Sequence, residues 1–427
     1  MAMRLPDAAK RMLDGEEGAA KRIAMQALAK FGDAYDAVEM VSIGYAHVAA
    51  GQPLYAGDLE QLEALADLGA AVVVPTSVNI ANADMHRGEL MRAPEALITL
   101  QRRSEPVHRR MGSHACYTCT PYWAGHWPTW NMHMVSLEST VTIFCNSVLG
   151  ARSNRDGYFA VYAAITGLYP KIGYHLDENR RGTHRFVVRA APRDASDFGC
   201  LGYHIGLQAR NGVPVIEGLW RRPTLDELDA MGAAIATSGG SAMFIVPGVT
   251  PPFADARAAF GAAPPEAQPV SDADIAAVYA SFVPSHDTRP SIVHLGCPHA
   301  SMQEMREYAA LLDGQRVHGD VELWITTSRV VRRMAQEAGL TDILERAGAK
   351  VLSDTCPIMC HMSRIMAPDP KHGLPPAAAT RCIVVDSAKQ AKYVRDTVQC
   401  ETFLTGTPEA VQCALQGRLI AREAIGS

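Results

Sequence analysis

From residue 291 onward the chain alternates short apolar runs with amphipathic ones, and few folds can satisfy that pattern. SIVHLG, VELWITTS, KVLSD and RCIVVDS read as strands, separated by SMQEMREYAALLDG, VVRRMAQEAGLTDILERAG and later KQAKYVRDTVQ as helices. Strands this uniformly apolar must be covered on both faces, and a parallel sheet wrapped by helices does this. Residues 291–427 are therefore expected to form a doubly wound α/β domain. Residues 1–290 form the N-terminal α/β region, with parallel sheets and helices on both faces. There the spacing predicts a helix over 14–32 closing on Gly32, strands over 37–43, 70–75 and 242–246, and a helix in DELDAMGAAIATSGG. FVVRAAP and CLGYHIGLQARNGVPVIEG suggest strands joined by a short helix, and 254–290 reads as an inter-domain connection.

A length of 427 residues, 48% hydrophobic and 20% charged, suits a multi-domain globular chain. A net charge of −5 supplies no basic field for nucleic acid. No run of about 18 apolar residues suggests a membrane span. The N-terminal MAMRLPDAAKRMLDGEEG lacks a signal-peptide core, so a cytoplasmic location is expected. In that compartment the ten cysteines should rarely form disulfides.

Residues 114–157 have the composition of a working loop, combining three Cys, three His and three Trp with Asn, Ser, Arg and Asp. Cys119 lies in TCTPY. Cys297 follows SIVHLG in LGCPH, and Cys356 follows KVLSD in DTCP. Two strand-end thiols on one sheet edge, met by a third from the loop, could hold an iron–sulfur group with one iron position open. Inert core cysteines are the alternative. A zinc site using Cys116 or Cys360 is another, although the paired Cys-x-x-Cys pattern is absent. Around Gly150, Asn146, Ser147, Arg152, Asn154 and Arg155 combine amides, a hydroxyl and two guanidinium forks suited to a carboxylate or phosphate. Thr76, Ser77 and Asn79 follow the expected strand 70–75, where ligands collect or helices are capped. Thr250 sits in the rigid loop PGVTPP. Lone histidines such as His126, His133 and His204 read as structural.

Taken together, TCTPY, LEST, NSVLGARSNRDG, LGYHIG, VPGVTPP, LGCPH, DTCP and DSAKQAKY resemble the large subunit of aconitase X, nearly end to end. The resemblance implies an aconitase-like fold and a hydro-lyase. Known members dehydrate cis-3-hydroxy-L-proline in bacteria and mevalonate 5-phosphate in archaea. It implies an iron–sulfur cluster on Cys119, Cys297 and Cys356. It also implies a separate small swivelling subunit whose Ser acts as base, since neither terminus reads as such a domain. Glu138, Ser147, Arg152 and His175 become candidate catalytic residues. Thr76, Ser77, Asn79, Asn146, Arg152, Asn154, Arg155, Thr250, Ser387 and Lys389 become candidate substrate contacts. The chain departs from the family pattern at Trp127–Asn131 and at Thr140. The expected reaction is dehydration of a small hydroxy acid, cis-3-hydroxy-L-proline first and mevalonate 5-phosphate second. A non-catalytic metal-binding scaffold is the contrasting possibility.

Overall fold

The computed structural model of the chain describes residues 3–55, 57–286, 288–360 and 382–423. Its C-terminal part is a five-stranded parallel sheet in the spatial order Ala349–Ser353, Glu322–Thr327, Ile292–Ala300, Cys382–Val385, Glu401–Leu404. In chain order this is 3-2-1-4-5, so the winding direction reverses between Ile292–Ala300 and Cys382–Val385. Ligand crevices form at such a reversal. Ile292, Trp324, Leu352, Ile383 and Val385 enter one core, whereas Val293, Leu295, Leu323, Ile325, Val351 and Val384 enter the other. Period-two alternation thus feeds two apolar cores, as a sheet covered on both faces requires. Arg381, the first residue of one expected strand, lies outside the described residues.

Two smaller parallel sheets precede it. One runs Thr76–Val78, Tyr45–Val48, Met134–Ser136, and the other Pro214–Glu217, His184–Val188, Ala267–Val270. Met40–Ser42 pairs antiparallel with Leu168–Pro170. The segment expected as a connection is instead built into the second sheet. Ala267–Val270 is an edge strand there, and the helix Asp272–Ala280 follows it.

Several local expectations change. The helix expected over 14–32 begins only at Ala19 and runs through Gly32 to Ala34, while a separate helix, Asp7–Asp14, precedes it. Gly15 and Gly18, at left-handed φ values of 84° and 95°, break the chain between the two. The valine run 70–75 is not a strand. Val72 and Val73 donate to Met111 and Ala164 carbonyls, and Val73 is 50% exposed. Pairing begins at Thr76, so Thr76 and Ser77 lie within the strand rather than beyond it. CLGYHIGLQA belongs to a 15-residue helix, Ala195–Ala209, which packs on Leu225–Gly239. Its glycines permit that contact: a Cβ on Gly202 would lie 2.2 Å from the Met231 carbonyl oxygen. Residues 242–246 pair with the sheet's backbone only at a bridge between Val215 and Ile245, rather than as a full strand.

Candidate active site

Cys297 is delivered by an irregularity in its strand. Leu295 pairs with Ile325 and Ala300 with Thr327, so residues 296–299 stand opposite Thr326 alone. The extra residues must bulge, and Gly296 makes the turn at φ 86°. A Cβ there would lie 2.2 Å from the Thr326 carbonyl oxygen. Cys297 is thus within a bulged strand rather than past its end. Cys356 follows Ala349–Ser353 after a left-handed Asp354, and Thr355 bridges to Ala81 of the N-terminal region. Cys119 arrives from the working loop, whose Thr118 N–H donates to the Val78 carbonyl.

The three thiols line one cavity of about 430 Å³, together with Asn79, Glu138, Arg155, His299 and Lys389. His299 ties their loops together. Its Nε2 lies 2.9 Å from the Thr355 carbonyl oxygen, which only accepts, so Nε2 carries the proton. Nδ1 then accepts from the Thr118 hydroxyl at 3.1 Å. The His299 backbone N–H donates to Cys119 Sγ at 3.3 Å. Nothing in the sequence marked His299 except its place directly after Cys297-Pro298.

Lys389 donates to Glu138 at 2.9 Å and to the Thr140 hydroxyl at 2.5 Å. Thr140 therefore provides a hydroxyl partner for the lysine. Glu138 also caps the helix Ser139–Phe144 through the Thr140 N–H. Burial would push the Glu138 carboxyl up, yet Lys389 and Arg155 hold it well below the usual carboxylate range. Burial opposes the Lys389 charge, but the Glu138 carboxylate keeps it protonated. Burial raises all three thiols, Cys356 to about 11, while Lys389 pulls each the other way. Soft donors with a buried cation beside them suit an iron–sulfur cluster, which ligates thiolates and bears net negative charge.

The expected anion fork is divided. Residues 152 and 155 lie on a segment bridged to His133 and Ser136. Extended residues three apart face opposite sides. Arg152 bonds Asn131, the His175 carbonyl and Asp177, and does not line the cavity. Arg155 lines it and has no carboxylate partner among the described residues. Asn79 also lines it, with its buried side chain set against His47.

Other expected residues hold structure together. Asn146 bonds Ser153, Ala242 and Arg180. Ser147 accepts from the Phe244 N–H, and Thr250 from the Val246 N–H. Asn154 bonds Ile172 and Tyr174. Thr76 donates to the Val74 carbonyl, and Ser77 bonds Tyr45 and His47. His175 stacks on His133 with a 2.8 Å nitrogen contact. Ser387 caps the helix Ala388–Tyr393 and lines a separate small void behind Cys297. Cys116 and Cys360 donate to the Val78 and Pro357 carbonyls and are not in the cavity wall.

Family models describing the first, second and third domains of aconitase X match residues 2–178, 182–280 and 290–416. The phosphomevalonate dehydratase large subunit of Methanothermobacter thermautotrophicus is 37% identical over 390 residues, covering 90% of this chain and 92% of that protein. The cis-3-hydroxy-L-proline dehydratase of Pseudomonas aeruginosa is 35% identical over 415 residues, covering 95% of this chain and 69% of that protein. The crystal structure of Thermococcus kodakaraensis aconitase X in its holo-form superposes with a TM-score of 0.83 at 32% identity, covering 96% of this chain and all of that one. With its parallel sheets, its cavity thiols and domain matches along almost its whole length, the chain belongs to the aconitase X family and is a dehydratase, a hydro-lyase of the aconitase superfamily.

Proposed function

We propose that this enzyme dehydrates a small zwitterionic hydroxy acid, cis-3-hydroxy-L-proline, to 1-pyrroline-2-carboxylate. The observation that carries this reading is the charge balance of the cavity. Its described wall holds two cations, Arg155 and Lys389, and two carboxyl groups, Glu138 and Asp58. Lys389 is neutralised by Glu138, which leaves Arg155 as the one cation of the described wall residues for an incoming anion. A substrate with one carboxylate and one ammonium suits such a wall. Mevalonate 5-phosphate, with a phosphate in addition to its carboxylate, would need a second anion site.

Cys119, Cys297 and Cys356 would hold an iron–sulfur cluster. When bound, it would supply Lewis-acid polarisation of the departing hydroxyl. Arg155 would clamp the substrate carboxylate, with the Asn79 side chain beside it in the same wall. Glu138, fixed as a carboxylate, would face the ring ammonium. A base, assigned to a Ser of a small swivelling subunit, would take the proton from C2. The C–H electrons form the C2–C3 double bond as the C3–O bond breaks, and the departing hydroxide takes up one proton, balancing the one removed from C2, to leave as water. The enamine then tautomerises to the imine. A cytoplasmic setting suits the reduced thiols this chemistry needs.

The second reading, mevalonate 5-phosphate dehydration, is favoured by the relatives that bear that name. Anaerobic co-purification with the small subunit, followed by assay on both substrates, decides between them. Turnover of cis-3-hydroxy-L-proline alone is the expected result. Turnover of mevalonate 5-phosphate alone would overturn the assignment. No turnover of either by an iron-loaded complex would leave a metal-binding scaffold.

A further inference from the structure

The working loop brings a second set of metal-binding side chains together outside the cavity. His114 Nδ1 lies 2.6 Å from His126 Nε2, and these atoms and Cys116 Sγ all lie within 4.8 Å of one another. None of the three residues lines the thiol cavity. Their backbone is firmly placed: the His114 N–H donates to the Thr76 carbonyl at 2.8 Å, and the His126 N–H to the Pro121 carbonyl at 3.0 Å. Tyr45 backs the His126 ring at 5.6 Å. The buried Cys116 thiol has only a 3.7 Å approach to the Val78 carbonyl. A sulfur and two imidazole nitrogens have therefore converged with little to bond except one another.

We propose that His114, Cys116 and His126 form a second metal site for one borderline-soft divalent transition-metal ion, Zn²⁺ by donor preference. Two imidazoles and a thiolate form a familiar tetrahedral donor set. Bonds of roughly 2.0 Å to nitrogen and 2.3 Å to sulfur separate neighbouring ligand atoms by roughly 3.3–3.7 Å. The histidine nitrogens would move apart by less than about 1 Å as two metal bonds replace their mutual hydrogen bond. Coordination releases the Cys116 proton to solvent and leaves both imidazoles neutral. His114 is exposed, so the fourth position opens to water on its side. The ion would clip residue 114 to residue 126 and close the loop that carries Cys119 and Tyr122.

The test uses the full-length chain produced with zinc and iron supplied, with both metals counted per chain. One zinc per chain is expected, lost at least tenfold in His114→Ala and in His126→Ala. Cys119→Ser should keep its zinc, because that residue is outside the site. Replacing zinc with Co²⁺ should give a sulfur-to-cobalt charge-transfer band that Cys116→Ser abolishes. Should a histidine variant fold poorly, the wild-type chain still reports. Its unfolding temperature should rise on adding Zn²⁺ after chelation. Absence of zinc together with absence of the cobalt band would overturn the proposal. So would zinc that persists in both histidine variants but disappears in Cys119→Ser.

Discussion

The Lys389 ammonium and the Glu138 carboxylate, 251 positions apart in the chain, meet at 2.9 Å in the cavity wall. The contact joins the helix that follows the winding reversal of the C-terminal sheet to the cap of a helix in the N-terminal region. Both side chains are almost fully removed from water, at 7% and 16% exposed. Removing one partner strands a buried charge, which typically destabilises by about 3–5 kcal/mol. Lys389→Met should therefore lower the unfolding midpoint sharply and abolish turnover. The double variant Lys389→Met/Glu138→Gln should recover much of the stability and none of the activity. Chemical denaturation beside an activity assay checks both. Recovery of turnover in the double variant would make the pair purely structural.

The same pair sets a pH dependence. The folded-state pKa of Glu138 is lowered. Its stabilising contribution is present above the unfolded carboxylate value of about 4.3 and fades as pH falls below it. The stability gap between wild type and Glu138→Gln should then be full at neutral pH and shrink below about pH 4. Denaturation series at several pH values would show it.

Histidines add acid sensitivity at a higher pH. His108 is fully buried, and burial lowers its pKa to about 4. The folded state keeps the ring neutral while the unfolded chain, near 6.5, takes up a proton. Stability is thus complete above about 6.5 and declines as pH falls towards 4, a loss on the order of 3 kcal/mol. His108→Phe keeps an aromatic beside Tyr117 and should flatten that part of the pH–stability curve. An unchanged slope would assign the sensitivity to other groups.

How legible these features were in the sequence depends on the scale of their cause. The five-stranded sheet could be read because its strands are buried on both faces, and continuous apolar runs carry that signal. That Cys297 and Cys356 meet at one edge of the sheet could be read from two parallel strands each leading to a Cys-Pro, although Glu322–Thr327 lies between those strands and Cys297 sits inside its own. The bulge that aims Cys297 could not be read, since four residues opposite one leave no mark on a single strand's periodicity. Nor could the separation of Arg152 from Arg155, which depends on whether that stretch is helical or extended. In a helix, residues three apart share a face; here the chain is extended, and they part. CLGYHIGLQA was misread because aromatic and β-branched residues favour strands in isolation. Its glycines fit a tight helix–helix contact, and packing overrode local preference.

That divergence of the two arginines makes them separable by experiment. Arg155→Lys should raise the Michaelis constant about 10–100-fold, a loss of about 1.4–2.8 kcal/mol, because a point charge cannot replace a planar fork. Arg152→Lys should leave the Michaelis constant nearly unchanged. It should instead destabilise the fold by about 1–3 kcal/mol, because the Asn131 and His175 contacts lose their fitted donor. Steady-state kinetics together with thermal unfolding of both variants gives the comparison. A Michaelis constant that rises for Arg152→Lys and not for Arg155→Lys would reverse the two roles.

Gly296 provides the most local test of how the bulge serves the site. Its φ of 86° is disfavoured for any residue with a side chain, and a Cβ would lie 2.2 Å from a backbone oxygen of the neighbouring strand. Backbone cannot yield as a flexible side chain would, so Gly296→Ala must shift the bulge itself. Strain of about 1–3 kcal/mol should appear in the unfolding midpoint. Displacement of Cys297 should also lower the iron retained per chain. Ala300→Gly, at the end of the same strand and beyond the bulge, should loosen the strand by about 1 kcal/mol while leaving iron binding intact. Iron content that falls in Gly296→Ala and holds in Ala300→Gly would tie cluster retention to the geometry of the bulge. Equal losses in both would instead reflect the stability of the sheet as a whole.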